Sequence, residues 1–583
     1  MHSHEHTHAL ASARSRSRAR SSPRGQGRIA GQQAEEGATY NRGVVQVLFR
    51  FRALLVVLLF AAAACAQEPA AAKAAEPAEV HDKLLLVLPF ENRTGVSTLD
   101  WISEGFPDVL NRRLNSAGFL TISRGDRLYA FDHLGLPLNL QPSRATAIRI
   151  AQTLDADYVI FGNYTLTGNQ LAASAQVLDV SALKLGAGIA QQGDLDHLLD
   201  MLNSLAWQVT RQLDPEYAVE ERTFLAADQN LHGDAFEDYI QGLVAMSPLL
   251  QIQHLKEAVR LDPGFAAAWL ALGRAYFTNQ DFEQAAPTLG RLPKDDPNAL
   301  QADFYRGLAC FYTGNYREAE DAFAFVSTRL PLPEVVNNQG VAASRRGKDA
   351  GALFQQAIAA DPKDADYHFN LAVALAHRND AAGALQELDE VLKLRPSDAE
   401  AQAFATQLKD PGAAKANPDP GHAITDAQGP LERIKRGYSE AGFRQAAFEL
   451  EQVQAMRLAS MPAAQRAAAL VKDGDTFFQR GLVLEAEREY RAALAADTSS
   501  AQAHAGLAAV RERDGDAEAA RQEAQASIGL RPNVPAYLVL ARLDMQANQL
   551  GAAAGDVNEA LKVDPANANA KGMQLALQRR AVP

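Results

Sequence analysis

A chain of 583 residues exceeds one ordinary domain and predicts two or three. Its formal charge of −13 is uneven: residues 1–52 hold nine Arg and three Glu, a formal +6, which leaves −19 for the rest. A body that acidic argues against nucleic-acid binding, which needs basic patches, and two cysteines far apart, Cys65 and Cys310, exclude a disulfide framework.

Residues 1–43 are polar and repetitive, with Arg14, Arg16, Arg18 and Arg20 alternating with small residues, and read as a disordered leader. Arg50 and Arg52 then precede the apolar run Ala53–Ala64 and Cys65-Ala66-Gln67. A positive region, an apolar stretch too short to span a bilayer comfortably and a small-residue cleavage site make residues 44–66 a signal peptide. Two cleavage readings stand. Ala64-Cys65-Ala66 fits a signal-peptidase site that leaves a soluble protein starting at Gln67. Ala62-Ala63-Ala64-Cys65 resembles a bacterial lipobox, with Cys65 as the lipidated first residue, although Ala stands where Leu is usual. The chain is therefore expected to be exported to the periplasm, membrane-attached through a lipid or signal anchor, or else soluble or secreted. Residues 67–82, rich in Ala, Glu and Pro over their first part, read as a tether.

Residues 83–213 read as a small α/β domain. Lys83–Phe90 is a continuous apolar run, as for a strand buried on both faces. Ile102, Phe106, Val109, Leu110 and Leu114 follow at helical spacing; Phe119–Ser123 reads as a second strand; Ala147, Ile148, Ala151 and Leu154 mark a second helix. Tyr158–Phe161 and Leu171–Val180 flank a hairpin signal at Gly168-Asn169, and Leu195–Leu213 is amphipathic. The order βαβαββα predicts a mixed sheet with helices packed on it. Leu86-Val-Leu-Pro-Phe-Glu-Asn92, Ser103-Glu-Gly105, Ile122-Ser-Arg124 and Leu154–Asn163 resemble the TolB-like amino-terminal domain, related to FlgO-like lipoproteins. That resemblance implies a non-catalytic module of envelope or regulatory interactions, one that often precedes helical repeats. Arg124 with Asp126, and Glu91 with Arg93, read as solvated loop or capping charges.

Beyond residue 235 the spacing changes. Trp269, Leu272, Gly273, Tyr276, Ala285, Leu289 and Pro297 resemble the tetratricopeptide repeat (TPR), a helix–turn–helix unit of about 34 residues. Related sets recur, among them Gly307, Ala319, Phe323 and Pro331, then Gly340, Phe354 and Pro362, then Gly474, Ala486 and Tyr490. About seven units fall into two sub-arrays, 235–409 and 429–583, the second opening on a degenerate helical pair over Leu431–Leu458. Residues 410–428, holding Pro411, Gly412, Pro418, Pro420 and Gly421, read as the linker between them. The fold class is α/β plus all-α: a small mixed-sheet domain followed by a TPR α-solenoid. Cys310 falls on an apolar repeat helix and reads as a small buried hydrophobe.

In TPR superhelices certain positions of each first helix tend to line the concave face. Here they are Leu270, Arg274 and Phe277; Phe304, Leu308 and Phe311; Asn337 and Val341; Phe369 and Val373. The set is poor in the Lys and Arg that would clamp a carboxylate and predicts an apolar, aromatic-rich groove for a protein or peptide partner. The competing reading has other parts of the array cover the same side chains.

Walker, zinc-protease, nucleophile-elbow and Cys-x-x-Cys motifs are absent, so neither an enzyme nor a cofactor is expected. The first functional reading is a non-catalytic envelope scaffold; the alternative is a regulatory or sensory accessory protein whose TolB-like domain binds a ligand or an envelope component. Signal peptides begin close to the initiator, so translation is expected to start near Val44–Val47. Tryptic digestion of the protein from its producing cell should yield no peptide from residues 1–40; recovering one would refute that start.

Overall fold

Leu84–Val87 forms strand β1, and its side-chain alternation sends Leu85 and Val87 into one apolar cluster and Leu86 into another. The computed structural model describes residues 83–137, 141–228, 230–410 and 430–580; the expected leader, signal segment with Cys65 and tether up to residue 82, the expected linker 410–428 except Asp410, and residue 429 lie outside them. Six further strands are β2 (Glu91–Asn92), β3 (Leu120–Thr121), β4 (Tyr158–Thr167), β5 (Gln170–Asp179), β6 (Lys184–Leu185) and β7 (Ile189–Asp194). The main path runs β3-β1-β4-β5-β6, with β2 also on β4 and β7 also on β5. Pairings are parallel through β4 and antiparallel beyond it, the mixed sheet that the element order predicts. Gly168 takes the left-handed backbone (φ +63°) in the two-residue turn that joins β4 to β5.

Four helices cover this sheet. Helices α1 (Ile102–Ser116) and α4 (Leu198–Leu213) pack on the face of Leu85 and Val87. Helices α2 (Arg124–His133) and α3 (Arg144–Thr153) pack on the face of Leu86 and Leu88, the latter just beyond β1. Helix α2, β6 and β7 fall where no element was expected. Ser123 starts α2 by accepting a hydrogen bond from the Asp126 N–H at 3.1 Å. Strand β7 carries one buried apolar side chain, Ile189, and is held by backbone pairing to β5. The charges read as solvated divide. Glu91 and Arg93 form an exposed pair, whereas Arg124 and Arg127 converge on Glu104, and Asp126 binds Arg444 at 2.5 Å.

The same core continues into the repeats. Tyr239 donates to Asp108 at 3.0 Å, Phe236 stands edge-on to Trp101, and Arg112 and Arg113 grip Asp228 at 3.1 and 2.6 Å. Helix pairs then follow: Gly233–Val244 with Pro248–Leu261, Ala266–Thr278 with Phe282–Leu289, Ala299–Tyr312 with Tyr316–Ser327, Pro333–Arg345 with Gly351–Ala360, and Ala365–His377 with Ala381–Leu394. Helix Ala399–Lys409 closes the set. The small residue of each unit is a close-approach point: a Cβ on Gly307 would lie 2.8 Å from the Phe323 ring, and one on Gly340 2.7 Å from Phe354. Cys310 is fully buried near Glu318, and burial pushes its thiol up to about 11, so it behaves as an apolar filler.

Over Leu431–Leu458 the expected helical pair is replaced by a segment without helix or strand, 430–439, and one helix, Glu440–Ala459. Pairs Ala463–Gln479 with Val483–Ala496, Ala501–Arg513 with Ala517–Leu530 and Val534–Gln546 with Leu550–Val563 follow, then helix Ala568–Arg580. This second array returns to the sheet region through the short helix α5 (Glu221–Ala226). The Thr223 hydroxyl sits within hydrogen-bond reach of Asp514, at 2.9 Å, and of Glu487, Arg511 pairs with both carboxylates, Arg222 meets Asp516 at 2.7 Å, and Arg488 donates to the Ser116 carbonyl at 3.2 Å.

Gly340→Ala should cost a net ~1–2 kcal/mol, because helix propensity returns only part of the overpacking penalty. Gly555→Ala, on an exposed helix face with nothing within 4 Å, should be neutral or stabilising. Thermal unfolding of the two variants checks this; equal melting temperatures would refute the close-approach role.

Candidate functional site

The inner face of the first array is built from the first helix of each pair, and residues 430–439 of the same chain lie along it. Three asparagines with no exposed surface organise the contact: Asn337, Asn338 and Asn370. Asn370 Oδ1 accepts the Arg433 N–H at 2.6 Å, and its Nδ2 donates to the Arg433 carbonyl at 2.8 Å. Asn338 repeats the pattern on Lys435, accepting its N–H at 2.8 Å and donating to its carbonyl at 2.7 Å. Asn337 ties the two together: it donates to Asn338 Oδ1 at 3.3 Å and to the Arg433 carbonyl at 3.1 Å, and accepts from Asn370 at 2.7 Å. Both hydrogens of the Asn337 and Asn370 amides are thereby used.

These bonds read backbone, and they read it at alternate residues. Arg433 and Lys435 face successive repeats, while Ile434 between them packs against the apolar clusters around Phe304 and Leu308 and around Val341 and Phe354. That two-residue alternation is the period of an extended chain. The chain runs against repeat order: Arg433 sits at Ala365–His377, Lys435 at Pro333–Arg345, and Tyr438 at Ala299–Tyr312. The Tyr438 ring is edge-on to Phe304 with centroids 4.8 Å apart, and its hydroxyl accepts from Gln301 at 3.0 Å.

Side chains add a charge code. The Arg433 guanidinium lies 3.7 Å over the Phe369 ring and makes a two-pronged pair with Asp398 at 2.7 and 2.9 Å, with Glu400 and Asp366 beside it. Lys435 Nζ is 2.7 Å from both Asp364 and Asp366. Burial alone would raise the Asp366 carboxyl, but Lys435 and Arg395 outweigh it and hold the group down at about 2. Burial likewise opposes charge on Lys435, and the two aspartates reverse that, leaving its ammonium above its ordinary range.

The positions singled out from spacing divide into three groups. Phe304, Asn337 and Phe369 touch residues 430–439 directly. Leu308, Val341 and Val373 are buried beneath that face, and Phe311 is half-buried in the same apolar clusters. Leu270 packs with Leu289, Leu292 and Ala302 between helix pairs, Arg274 lies 4.9 Å over the Tyr305 ring, and Phe277 joins Phe282, Tyr305 and Tyr312. Spacing missed Asn338 and Asn370, which lie one residue beyond the chosen positions in adjacent units. Two amides at the same register of successive repeats are the signal that would have found them. Among the described residues, no group of three or more His, Cys, Asp or Glu side chains is placed to hold a metal ion.

Asp366 gives this site a pH dependence of known sign. A carboxyl held near 2 against an ordinary 3.8 contributes about 2 kcal/mol, present above pH 4 and lost as the pH falls toward 2. The gap in melting temperature between the protein and Asp366→Asn should therefore narrow across that range; a constant gap would refute the assignment.

Tetratricopeptide-repeat family models match residues 252–306 and residues 339–399 and 471–535, so the chain carries tetratricopeptide repeats in both arrays. No curated protein matches it in sequence. Among solved structures, the MamA fragment 41-end from Desulfovibrio magneticus RS-1 is 20% identical, covering 29% of this chain and 99% of that one, with a TM-score of 0.27. YrrB, described as a TPR protein with an unusual peptide-binding site, is 18% identical over 32% of this chain and 98% of that one, with a TM-score of 0.26. The LpoB C-terminal domain from Salmonella enterica is 24% identical over 19% of this chain and 82% of that one, with a TM-score of 0.17.

Proposed function

We propose that this chain is a non-catalytic adaptor of the bacterial cell envelope, holding protein or peptide partners in the inner groove of its first TPR array. The observation that carries the reading is the asparagine set, which meets both the N–H and the C=O of alternate residues of an extended chain. Buried amides arranged in that way recognise main chain whatever its sequence, and the surrounding aromatic and acidic side chains select among sequences. The envelope assignment rests on the signal-peptide pattern of residues 44–66 and the TolB-like motifs of residues 83–213. On this reading the protein is periplasmic, with Cys65 as the lipid attachment point, and the sheet region supplies a second contact with the envelope.

In-cell formaldehyde crosslinking followed by affinity capture tests the groove. A partner recovered with the native chain and depleted at least tenfold from Asn338→Ala, Asn370→Ala supports the adaptor reading, provided the variant keeps its helical circular dichroism. Partners unchanged by the substitutions would move recognition to the sheet region and favour the regulatory alternative.

A further inference from the structure

Residues 430–439 occupy the groove in the manner of a ligand. Their hold comes from backbone bonds that any extended chain would satisfy, together with side-chain pairs at Arg433, Lys435 and Tyr438 and a buried pair of Glu432 with Arg345 and Ser344. The helix that follows, Glu440–Ala459, is anchored at its start by Phe443 beside Tyr438 and by Arg444 on Asp126, so a displaced segment stays tethered close to the groove. Its departure would strip the three asparagine amides of their main-chain partners and uncover Phe304 and Phe369. Buried amides left so are costly, and an incoming chain of matching chemistry would restore every bond.

Resting on the groove reading above, we propose that residues 430–439 are an internal ligand that a partner's segment displaces. The partner segment is an extended peptide with basic residues two apart, an apolar residue between them and an aromatic residue three further on. Each feature answers a feature of the groove. Asp398 and Glu400 with the Phe369 face take an arginine, and Asp364 with Asp366 takes a lysine. The two apolar clusters take the residue between, and Phe304 with Gln301 takes a tyrosine. The acidic pairs repel an acidic side chain at either basic position, while Arg345 meets the acidic residue just before the first of them.

Tethering sets the size of the effect. A segment on the same chain competes at an effective concentration on the order of millimolar. If the internal segment binds with an intrinsic Kd of about 10 µM, any outside peptide is then weakened about a hundredfold.

The test uses a fluorescein-labelled peptide of the sequence of residues 430–439, titrated by fluorescence polarisation with the full chain. The native chain should bind it at least tenfold more weakly than Arg433→Glu, Lys435→Glu, in which the internal segment faces its own acidic pockets with like charge. A second variant, residues 431–438 replaced by glycine and serine, gives the same comparison if the first does not fold. Hydrogen exchange should find residues 430–439 protected in the native chain and released in the variants. A released segment with no peptide binding would overturn the groove reading itself. Equal binding by native and released chains would overturn only internal competition. A peptide with glutamate at its Arg433 and Lys435 positions that binds as tightly as the original would overturn the basic-partner assignment and leave backbone recognition standing.

Discussion

Three side-chain amides with no contact to water set the terms for the centre of this molecule. Asn337, Asn338 and Asn370 are fully buried beside Val341, Phe369 and Val373, and an unpaired amide there costs about 1–3 kcal/mol. Their mutual bonds satisfy only part of their capacity. The remainder must come from a polar group brought into the groove, and the backbone of Arg433 and Lys435 supplies it in both polarities. The groove is thus less a hollow lined with phenylalanine than a set of polar requirements inside an apolar wall. Backbone satisfies those requirements more completely than a single side chain would.

Occupancy of that groove joins regions far apart in sequence. The first array grows from the core of the sheet region through Phe236 and Tyr239, and the second returns to it at Thr223 and Ser116. Residues 430–439 lie between those two attachments, with Arg444 reaching Asp126 soon after. The return contact is a buried ionic network in which burial raises the Asp514 carboxyl to about 6 against the pull of Thr223 and Arg511. Such a network gives register rather than large net stability, which suits a contact that fixes where the second array docks.

Much of the architecture was legible because its period was long and its signals were redundant. The apolar run at Lys83–Phe90, the Gly168-Asn169 turn and the recurrent small residues at Gly273, Gly307 and Gly340 each state a packing requirement in residue type alone. What escaped had no such signature. Strand β7 has a polar sequence and is held by backbone pairing. Helix α2 is ten residues long with few apolar positions. Leu431, Ile434 and Tyr438 have a spacing compatible with a helix face, which is why the segment reads as helical in isolation; the asparagines opposite hold it extended, a tertiary override of local preference. The groove positions were chosen by place in the repeat, a rule that takes Phe304, Asn337 and Phe369 and passes over Asn338 and Asn370 one residue further on.

The acidic surplus of the chain acquires a specific location from this geometry. Asp364, Asp366, Asp398 and Glu400 belong to two helices, Ala365–His377 and Ala399–Lys409, or to their caps, where a carboxylate also satisfies free N–H groups at the helix start. Asp364 and Asp398 do both jobs: each accepts a backbone N–H of its own helix, at 2.9 and 3.0 Å, and each also holds a basic side chain of residues 430–439. Their charge is therefore fixed in place before any occupant arrives, and the cost of ordering it falls on folding rather than on binding. Backbone amides fix the register of the occupant, preorganised carboxylates choose its charge, and the frame around them is held at independent points. An insert recognised in these two separable ways can be exchanged for another of the same pattern while the arrays that hold it stay folded.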